Sequence, residues 1–253
     1  MTSLKKRLEA KQSVMGALLG LRSPDAAELM SEAGFDFLLV DAEHSSIGPD
    51  GILEMIRAIE RGGATPLVRV GETTAANVQW ALDGGARGIL FPRVRAVEDV
   101  KEAVSFCRYP PDGIRGLGPG RASGYGAKLL DYAATANEEI LVMIQVETME
   151  AVDQIEDIAA VPGVDLLFIG PGDLSQVLGI PGELHHPKIR QIGSRVLSAG
   201  WKEKVPVGIL ALDEKTIAYW KEQGVQFFAT GSDALLLAMS CRDSVDLWNR
   251  LSK

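Results

Sequence analysis

The sequence predicts an α/β fold of the (β/α)8 TIM-barrel type, and three observations carry that prediction. One phrase recurs six times along the 253 residues: a helix-like run, a glycine, then a short apolar run rich in Val, Ile, Leu and Phe. Two further apolar runs without a leading glycine raise the candidate strands to eight. The length also matches the roughly 250 residues that such a barrel takes as one domain. Eight alternating β and α units in this length favour a closed barrel over an open doubly wound sheet. No Pro- or Gly-rich tract marks a linker, so residues 1–253 are read as a single domain.

Taken in order, MGALLGL at residues 15–21 is the first strand, and Ser23-Pro24 supplies the N-cap and first position of a helix. Gly34 then precedes FDFLLV, Gly62-Gly63 precede ATPLVRV, and Thr73 or Thr74 caps the next helix. Gly84-Gly85 precede ARGILF, after which residues 96–108 repeat apolar positions at spacings of three and four. ILVMIQVE at 140–147 is the fifth strand. Gly163 leads into VDLLFI, Gly200 into WKEKVPVGIL and Gly224 into VQFFAT. Each glycine stands where a helix ends in the left-handed conformation. Each following run is apolar on both faces, as a strand buried in a parallel sheet requires. The least regular stretch, YPPDGIRGLGPGRASGYGAK at 109–128, reads as a long active-site loop, with a surface excursion as the alternative. The tail SDALLLAMSCRDSVDLWNRLSK is amphipathic enough for a local helix or for one exchanged between subunits.

Hydrophobic residues make up 46% and charged residues 24%, which suits a globular chain with a sizeable core. A formal charge of −8 offers no basic patch to displace counterions from nucleic acid or to hold an anionic membrane, so small molecules are the expected partners. Cys107 and Cys241 are too few for a disulfide framework and are expected to be buried or half-buried thiols. The start, MTSLKKRLEAKQ, lacks a signal-like apolar stretch, and no run approaches the roughly eighteen apolar residues of a membrane helix, so a cytoplasmic protein is expected.

In this fold the chemistry gathers at the C-terminal ends of the strands. Strand two ends in Asp41-Ala42-Glu43-His44, strand three in Arg69 and strand five in Gln145-Val146-Glu147; strand six runs through Gly170-Pro171 into Gly172-Asp173. Glu147 closes a buried strand, where an ionised carboxylate needs a cationic partner or a metal. Asp173 adds a second hard oxygen ligand. The pair suits Mg²⁺ or Mn²⁺, with Co²⁺ a further candidate, and no nearby Cys or His points to structural zinc. His44 is aimed at the mouth, and flanking acidic residues suit it to general-base work, with a capping histidine as the alternative. His185 and His186 precede Pro187 and are read as structural. Arg69 can offset negative charge on a reacting oxygen, or pair with Glu43 or Glu147. The turn at 170–175 offers backbone N–H groups to a carboxylate or phosphate, and no GxGxxG or P-loop motif accompanies it.

These residues resemble those of the HpcH/HpaI aldolases, metal-dependent class II enzymes that act on pyruvate. The segments that carry the resemblance are FDFLLVDAEHSS, PLVRV, ARGILFPRV, RYPPDGIRGLG, IQVETMEAV, GVDLLFIGPGDLS and PVGIL, in that order over nearly the whole chain. The resemblance implies that His44 is the proton acceptor, that Arg69 stabilises the transition state and that Glu147 and Asp173 bind the metal. Gln145, Gly172 and Asp173 correspond to substrate-contacting positions. Asp83, in WALDGG, corresponds to a residue that raises the basicity of the histidine. Within one chain Asp83 is expected at the opposite end of the barrel, so either a neighbouring subunit supplies it or Asp41 takes its place. Hexamers built from trimers, with the last helix exchanged, are also implied. Relatives acting on long keto-diacids often carry Trp near Leu18 and a longer loop at 117–126, and family members commonly have Ala at the Gly172 position.

The implied reaction is reversible cleavage of a 4-hydroxy-2-oxo acid to pyruvate, or a related 2-oxo acid, and an aldehyde. A Schiff-base mechanism would need a lysine at a strand end, and Lys204 instead precedes a strand. The competing readings are an acyl-CoA lyase of the citramalyl- or malyl-CoA type, and a non-catalytic metal or keto-acid binding protein on the same scaffold.

Overall fold

The computed structural model describes residues 2–252. A short helix α1 (Leu4–Glu9) precedes β1 (Val14–Leu19), and α2 (Pro24–Glu32), β2 (Phe37–Asp41), α3 (Pro49–Gly62), β3 (Thr65–Arg69), α4 (Ala75–Gly84), β4 (Gly88–Phe91) and α5 (Val97–Cys107) follow in alternation. A 3-10 turn at Arg121–Ser123 and α6 (Leu129–Glu139) lead to β5 (Leu141–Val146), and the pair α7 (Met149–Asp153) and α8 (Ile155–Ala159) leads to β6 (Leu166–Ile169). After α9 (Pro171–Val177) and α10 (Pro187–Glu203) come β7 (Val207–Leu210), α11 (Glu214–Glu222), β8 (Phe227–Ser232) and α12 (Asp233–Leu251). The strands pair in sequence order, all parallel, and β8 closes on β1. The (β/α)8 barrel read from the sequence is the fold.

A strand presents alternate residues to opposite faces, so the closed ring sorts its side chains into two cores. Leu38, Val40, Val68, Ile89 and Ile144 point outward and pack under the helices. Phe37, Leu39, Leu67, Leu90, Met143 and Phe168 point inward. Inside the ring, Phe37 stacks on Phe227 with centroids 3.9 Å apart, and Phe168 meets Phe227 edge-on at 6.0 Å. Leu4 and Leu8 of α1 join this inner core, so the N-terminal end of the barrel is plugged by apolar side chains. The same alternation then puts Asp41, Arg69 and Gln145, each two residues beyond an apolar lining residue, inside the ring at the other end. The register pairs Asp41 with Arg69 across β2 and β3.

The helix boundaries follow local chemistry. Ser23, Thr74 and Asp213 accept a backbone N–H at the starts of α2, α4 and α11. His186 caps α10 in the same way through Nδ1, and His185 faces Asp213 and Thr216, which are structural placements. Five of the six expected glycine stops take the left-handed conformation, at Gly34, Gly63, Gly85, Gly163 and Gly224. Gly200 does not: α10 runs on to Glu203, and Lys204 terminates it with φ 61°. Close approach accounts for Gly200, because a Cβ there would lie 2.6 Å from the Val205 carbonyl oxygen.

Two other expectations are corrected. The excursion at 109–128 is not at the strand mouth of its own chain. Since α5 has already returned the chain to the N-terminal end of the barrel, the excursion packs on the closing turns of α3 and α4: Arg121 pairs with Glu60 and donates to the Gly84 carbonyl at 3.1 Å. Cys107 is buried as expected, whereas Cys241 is exposed on α12. That last helix buries only Asp233 and leaves Leu237, Trp248 and Leu251 exposed. No described helix is long and apolar enough to cross a membrane.

Candidate active site

The mouth is organised by the end of β2. Asp41 points into the ring and accepts two bonds from Arg69, Nε to Oδ1 at 2.9 Å and Nη2 to Oδ2 at 2.6 Å. Its Oδ1 also accepts the backbone N–H groups of Glu43 at 3.0 Å and His44 at 3.2 Å, and the Ser45 hydroxyl donates to its carbonyl. This turn redirects the chain so that the Glu43 carboxylate goes inward and the His44 imidazole stays half out in solvent. Burial pushes the Asp41 carboxyl up, but the hydrogen bond and charge of Arg69 and the two N–H groups outweigh it and hold the group below its ordinary value.

Arg93 follows β4 and joins two carboxylates. Its backbone sits in the left-handed region at φ 54°, which costs a non-glycine residue about 1–2 kcal/mol. In that conformation its N–H donates to Glu147 Oε1 at 2.6 Å. Its side chain reaches Glu43 Oε1 with Nε at 3.0 Å and also donates to the Gly71 carbonyl.

Glu147 stands beyond β5, two residues past Gln145 and on the same inner face. The Gln145 amide donates to Glu147 Oε2, while its oxygen faces Arg69 Nη1 at 3.5 Å. Burial is the main reason that the Glu147 carboxyl is pushed up to about 7; Asp173 and Glu43 add repulsion, and the bonds from Arg93 and Gln145 oppose it. Asp173 and Gly172 lie exposed in the first turn of α9. Gly170 before them permits a close approach, since a Cβ there would come within 3.1 Å of Glu147 Oε2. A methyl at Gly172 would meet nothing within 4 Å, so the small difference from Ala leaves the local packing unchanged.

Asp41, His44, Arg69, Gln145, Glu147 and Asp173 are thus gathered at one end of the barrel, and Asp83 is not. It lies in the last turn of α4, where its Oδ1 accepts from Arg115 Nη2 at 2.9 Å. Arg115 itself packs on Tyr109 and Tyr132, with its guanidinium 4.6 Å and 5.4 Å from the two ring centroids. Two mouth residues carry roles that the sequence reading did not give them. Glu43 was visible at the strand end and offered as a partner for Arg69, but its inward direction depends on the turn held by Asp41. Arg93 had only the weak signal of a basic residue closing ILFPR, and its backbone contribution has no sequence signature.

Carboxylates, an arginine, an amide and a histidine gathered at the C-terminal strand ends of a parallel barrel form the arrangement in which barrel enzymes carry their sites. The chain belongs to the HpcH/HpaI aldolase/citrate lyase family, whose model matches residues 15–239. It is therefore a carbon–carbon lyase. The hydroxypyruvate/pyruvate aldolase of Sagittula stellata is 41% identical over 237 residues, covering 92% of each chain. The 4-hydroxy-2-oxovalerate aldolase of Novosphingobium aromaticivorans is 36% identical over 250 residues, covering 97% of this chain and 94% of that one. A solved HpcH/HpaI aldolase/citrate lyase family protein from Burkholderia cenocepacia superposes with a TM-score of 0.92 at 37% identity, covering 97% and 98% of the two chains.

The Asp41–Arg69 pair gives a direct test of this geometry. Asp41→Ala leaves a buried guanidinium without its bidentate partner and is expected to destabilise the fold by about 3–5 kcal/mol, read from the urea midpoint.

Proposed function

We propose that this chain catalyses reversible retro-aldol cleavage of a 4-hydroxy-2-oxo acid to pyruvate, or a related 2-oxo acid, and an aldehyde. The observation that carries the reading is Glu147, a buried carboxyl pushed up to about 7 and facing two further carboxylates. Such a surplus of negative charge suits a cation. Among the described residues no group of three or more His, Cys, Asp and Glu side chains is arranged to hold a metal. Glu147 and Asp173 would therefore hold a divalent ion as a pair, with water and a chelating oxo acid completing the set; hard oxygen donors favour Mg²⁺ or Mn²⁺, with Co²⁺ also acceptable. When bound, the ion supplies Lewis acidity at the keto oxygen.

The remaining steps fall to the chain's own residues. Gln145, Gly172 and Asp173 border the position of the oxo-acid end. In the cleavage direction His44 takes the proton of the C4 hydroxyl, the C3–C4 bond breaks, the aldehyde is released and charge moves to the C2 oxygen; the proton is then returned to C3 as the C2 carbonyl re-forms, which gives the 2-oxo acid and frees His44. Arg69 offsets that charge, and since Asp41 fixes the guanidinium beforehand, little reorganisation is needed. No described lysine is buried, which argues against imine chemistry. The two relatives named above are aldolases of pyruvate, hydroxypyruvate or a hydroxy-oxo acid, so neither the acyl-CoA lyase nor the non-catalytic reading is favoured. Leu18 and Leu210 pack onto the inner core from strands β1 and β7, and we assign them to the aldehyde side of the pocket.

Within one chain Asp83 stays outside this site, and a neighbouring subunit is the only route by which it would reach His44. The apolar face of α12, with Leu237, Leu247 and Trp248 exposed, supports a homo-oligomer, a hexamer of paired trimers with this helix exchanged. Ultracentrifugation is expected to find hexamers in the parent protein and smaller species after Leu247→Arg with Trp248→Arg.

EDTA is expected to abolish cleavage, and Mg²⁺ or Mn²⁺ to restore it, in an assay that offers aldehydes with pyruvate and with hydroxypyruvate; borohydride trapping of pyruvate on a lysine would sink the proposal. Glu147 also sets a pH dependence. Because its folded value lies above the ordinary carboxylate value, the ion-free protein gains from this group at low pH and loses that gain as pH rises through about 7. A cation competes with the proton, so its affinity, read as a thermal shift, is expected to fall about tenfold from pH 8 to pH 6.

A further inference from the structure

Arg93 has no task in the aldolase reading, yet its backbone is the strained element of the mouth. A left-handed conformation is disfavoured for a non-glycine residue by roughly five- to thirtyfold, and Arg93 adopts it directly beyond β4, at φ 54°. Among the described residues Lys11, Tyr125 and Lys204 share it, but they follow α1, lie in the excursion and end α10, away from the mouth. Such a conformation persists only where its surroundings hold it.

At Arg93 the strand ends on either side supply that hold. The guanidinium reaches back over β3 to β2, with Nε 3.0 Å from Glu43 Oε1 and Nη2 donating to the Gly71 carbonyl. Glu43 is a firm anchor: its side chain is only 6% exposed, and its other oxygen faces Arg69 Nη1 at 3.4 Å and His44 Nε2 at 3.6 Å. From the β5 side, Thr148 Oγ1 donates to the Val94 carbonyl at 2.8 Å and fixes the next stretch of backbone. What the strained turn yields is one contact, the Arg93 N–H on Glu147 Oε1 at 2.6 Å. With the Gln145 amide on Oε2, each Glu147 oxygen is tied to a donor, so the plane of the carboxylate is set before any cation arrives.

We propose that Arg93 is a positioning residue for the metal site: its side chain clasps Glu43 and Gly71 to hold a left-handed backbone, and the N–H of that backbone orients Glu147 toward the divalent cation. The contribution reaches the carboxylate through the main chain. A residue with no side chain, which accepts the conformation freely, therefore serves the site better than a small one that resists it. The inference rests on the reading of Glu147 as a metal ligand.

The experiment counts free Mn²⁺ by its electron paramagnetic resonance signal as the metal-stripped full chain is titrated without substrate. This needs no turnover. Arg93→Ala and Arg93→Gly both lose the guanidinium, so its charge cancels from their comparison. Arg93→Gly, which is free of the strain, is expected to bind Mn²⁺ about fivefold or more tightly than Arg93→Ala. The same pair of substitutions at Lys204, left-handed at the far end of the barrel, is expected to show no such difference, which separates a local effect from a general loosening of the fold. If Arg93→Ala fails to fold, Arg93→Ser takes its place, since its side chain resists the same conformation. Equal affinities in the two Arg93 variants, tighter binding by the Ala variant, or an equal difference within the Lys204 pair overturns the proposal. Failure of the underlying reading has a separate signature: Glu147→Gln would then bind Mn²⁺ as tightly as the parent, and the proposal falls with it whatever the Arg93 pair gives.

Discussion

The bidentate contact between Asp41 and Arg69 is the interaction on which the mouth of this barrel depends. It joins the inner faces of β2 and β3 at matching register and sets the plane of a guanidinium that also faces Glu43 and Gln145. The same Asp41 carboxylate holds the turn that sends Glu43 inward and His44 outward. One buried ion pair therefore sets four side chains. A planar, always charged guanidinium with a two-pronged carboxylate partner suits this, because lysine would hold neither the plane nor the second contact.

A second constraint is the shortage of countercharge above that pair. Four carboxylates, those of Asp41, Glu43, Glu147 and Asp173, share the mouth with Arg69 and Arg93. Arg69 is largely matched by Asp41, and the Arg93 guanidinium is drawn to Glu43. Glu147 is left with neutral donors, the Arg93 backbone N–H and the Gln145 amide, which is why burial dominates its titration. The site is polarised along its width: a balanced, hydrogen-bonded side at β2 and β3, and an under-neutralised side at β5 and α9. The proposed carbon–carbon cleavage would use that division, with His44 and the fixed Arg69 guanidinium on one side and room for positive charge on the other.

The two ends of the barrel differ for a related reason. Phenylalanine and leucine layers, closed by Leu4 and Leu8, fill the N-terminal end and leave charge at the other. Asp83, Arg115 and the excursion at 109–128 lie outside this axis, on the closing turns of α3 and α4. The excursion contains a buried arginine that packs on two tyrosine rings meeting edge-on, so it is a packed part of the wall.

Much of this was legible in the sequence, and the misses have particular causes. Apolar runs after left-handed glycines marked the strands because a buried parallel strand and a helix stop both restrict residue type strongly. Gly200 misled because glycine also serves close packing, and Lys204 took the left-handed position that a glycine was expected to fill. The composition of the excursion fitted an active-site loop and a surface excursion alike, because its position is decided by which helix end it leaves. The strand ends named Asp41, His44, Arg69, Gln145, Glu147 and Asp173, since a two-residue period and a known barrel polarity suffice to bring them together. By itself, then, the sequence determined the barrel, the end at which charged residues gather and the residue types found there, because periodicity and burial act locally along the chain. Only the tertiary structure decided that Asp41 belongs to Arg69, that Arg93 presents its backbone to Glu147, that Asp83 stands apart and that Glu43 faces His44. Those are directions and distances between strands, and they arise from register and turn geometry rather than from any residue taken alone.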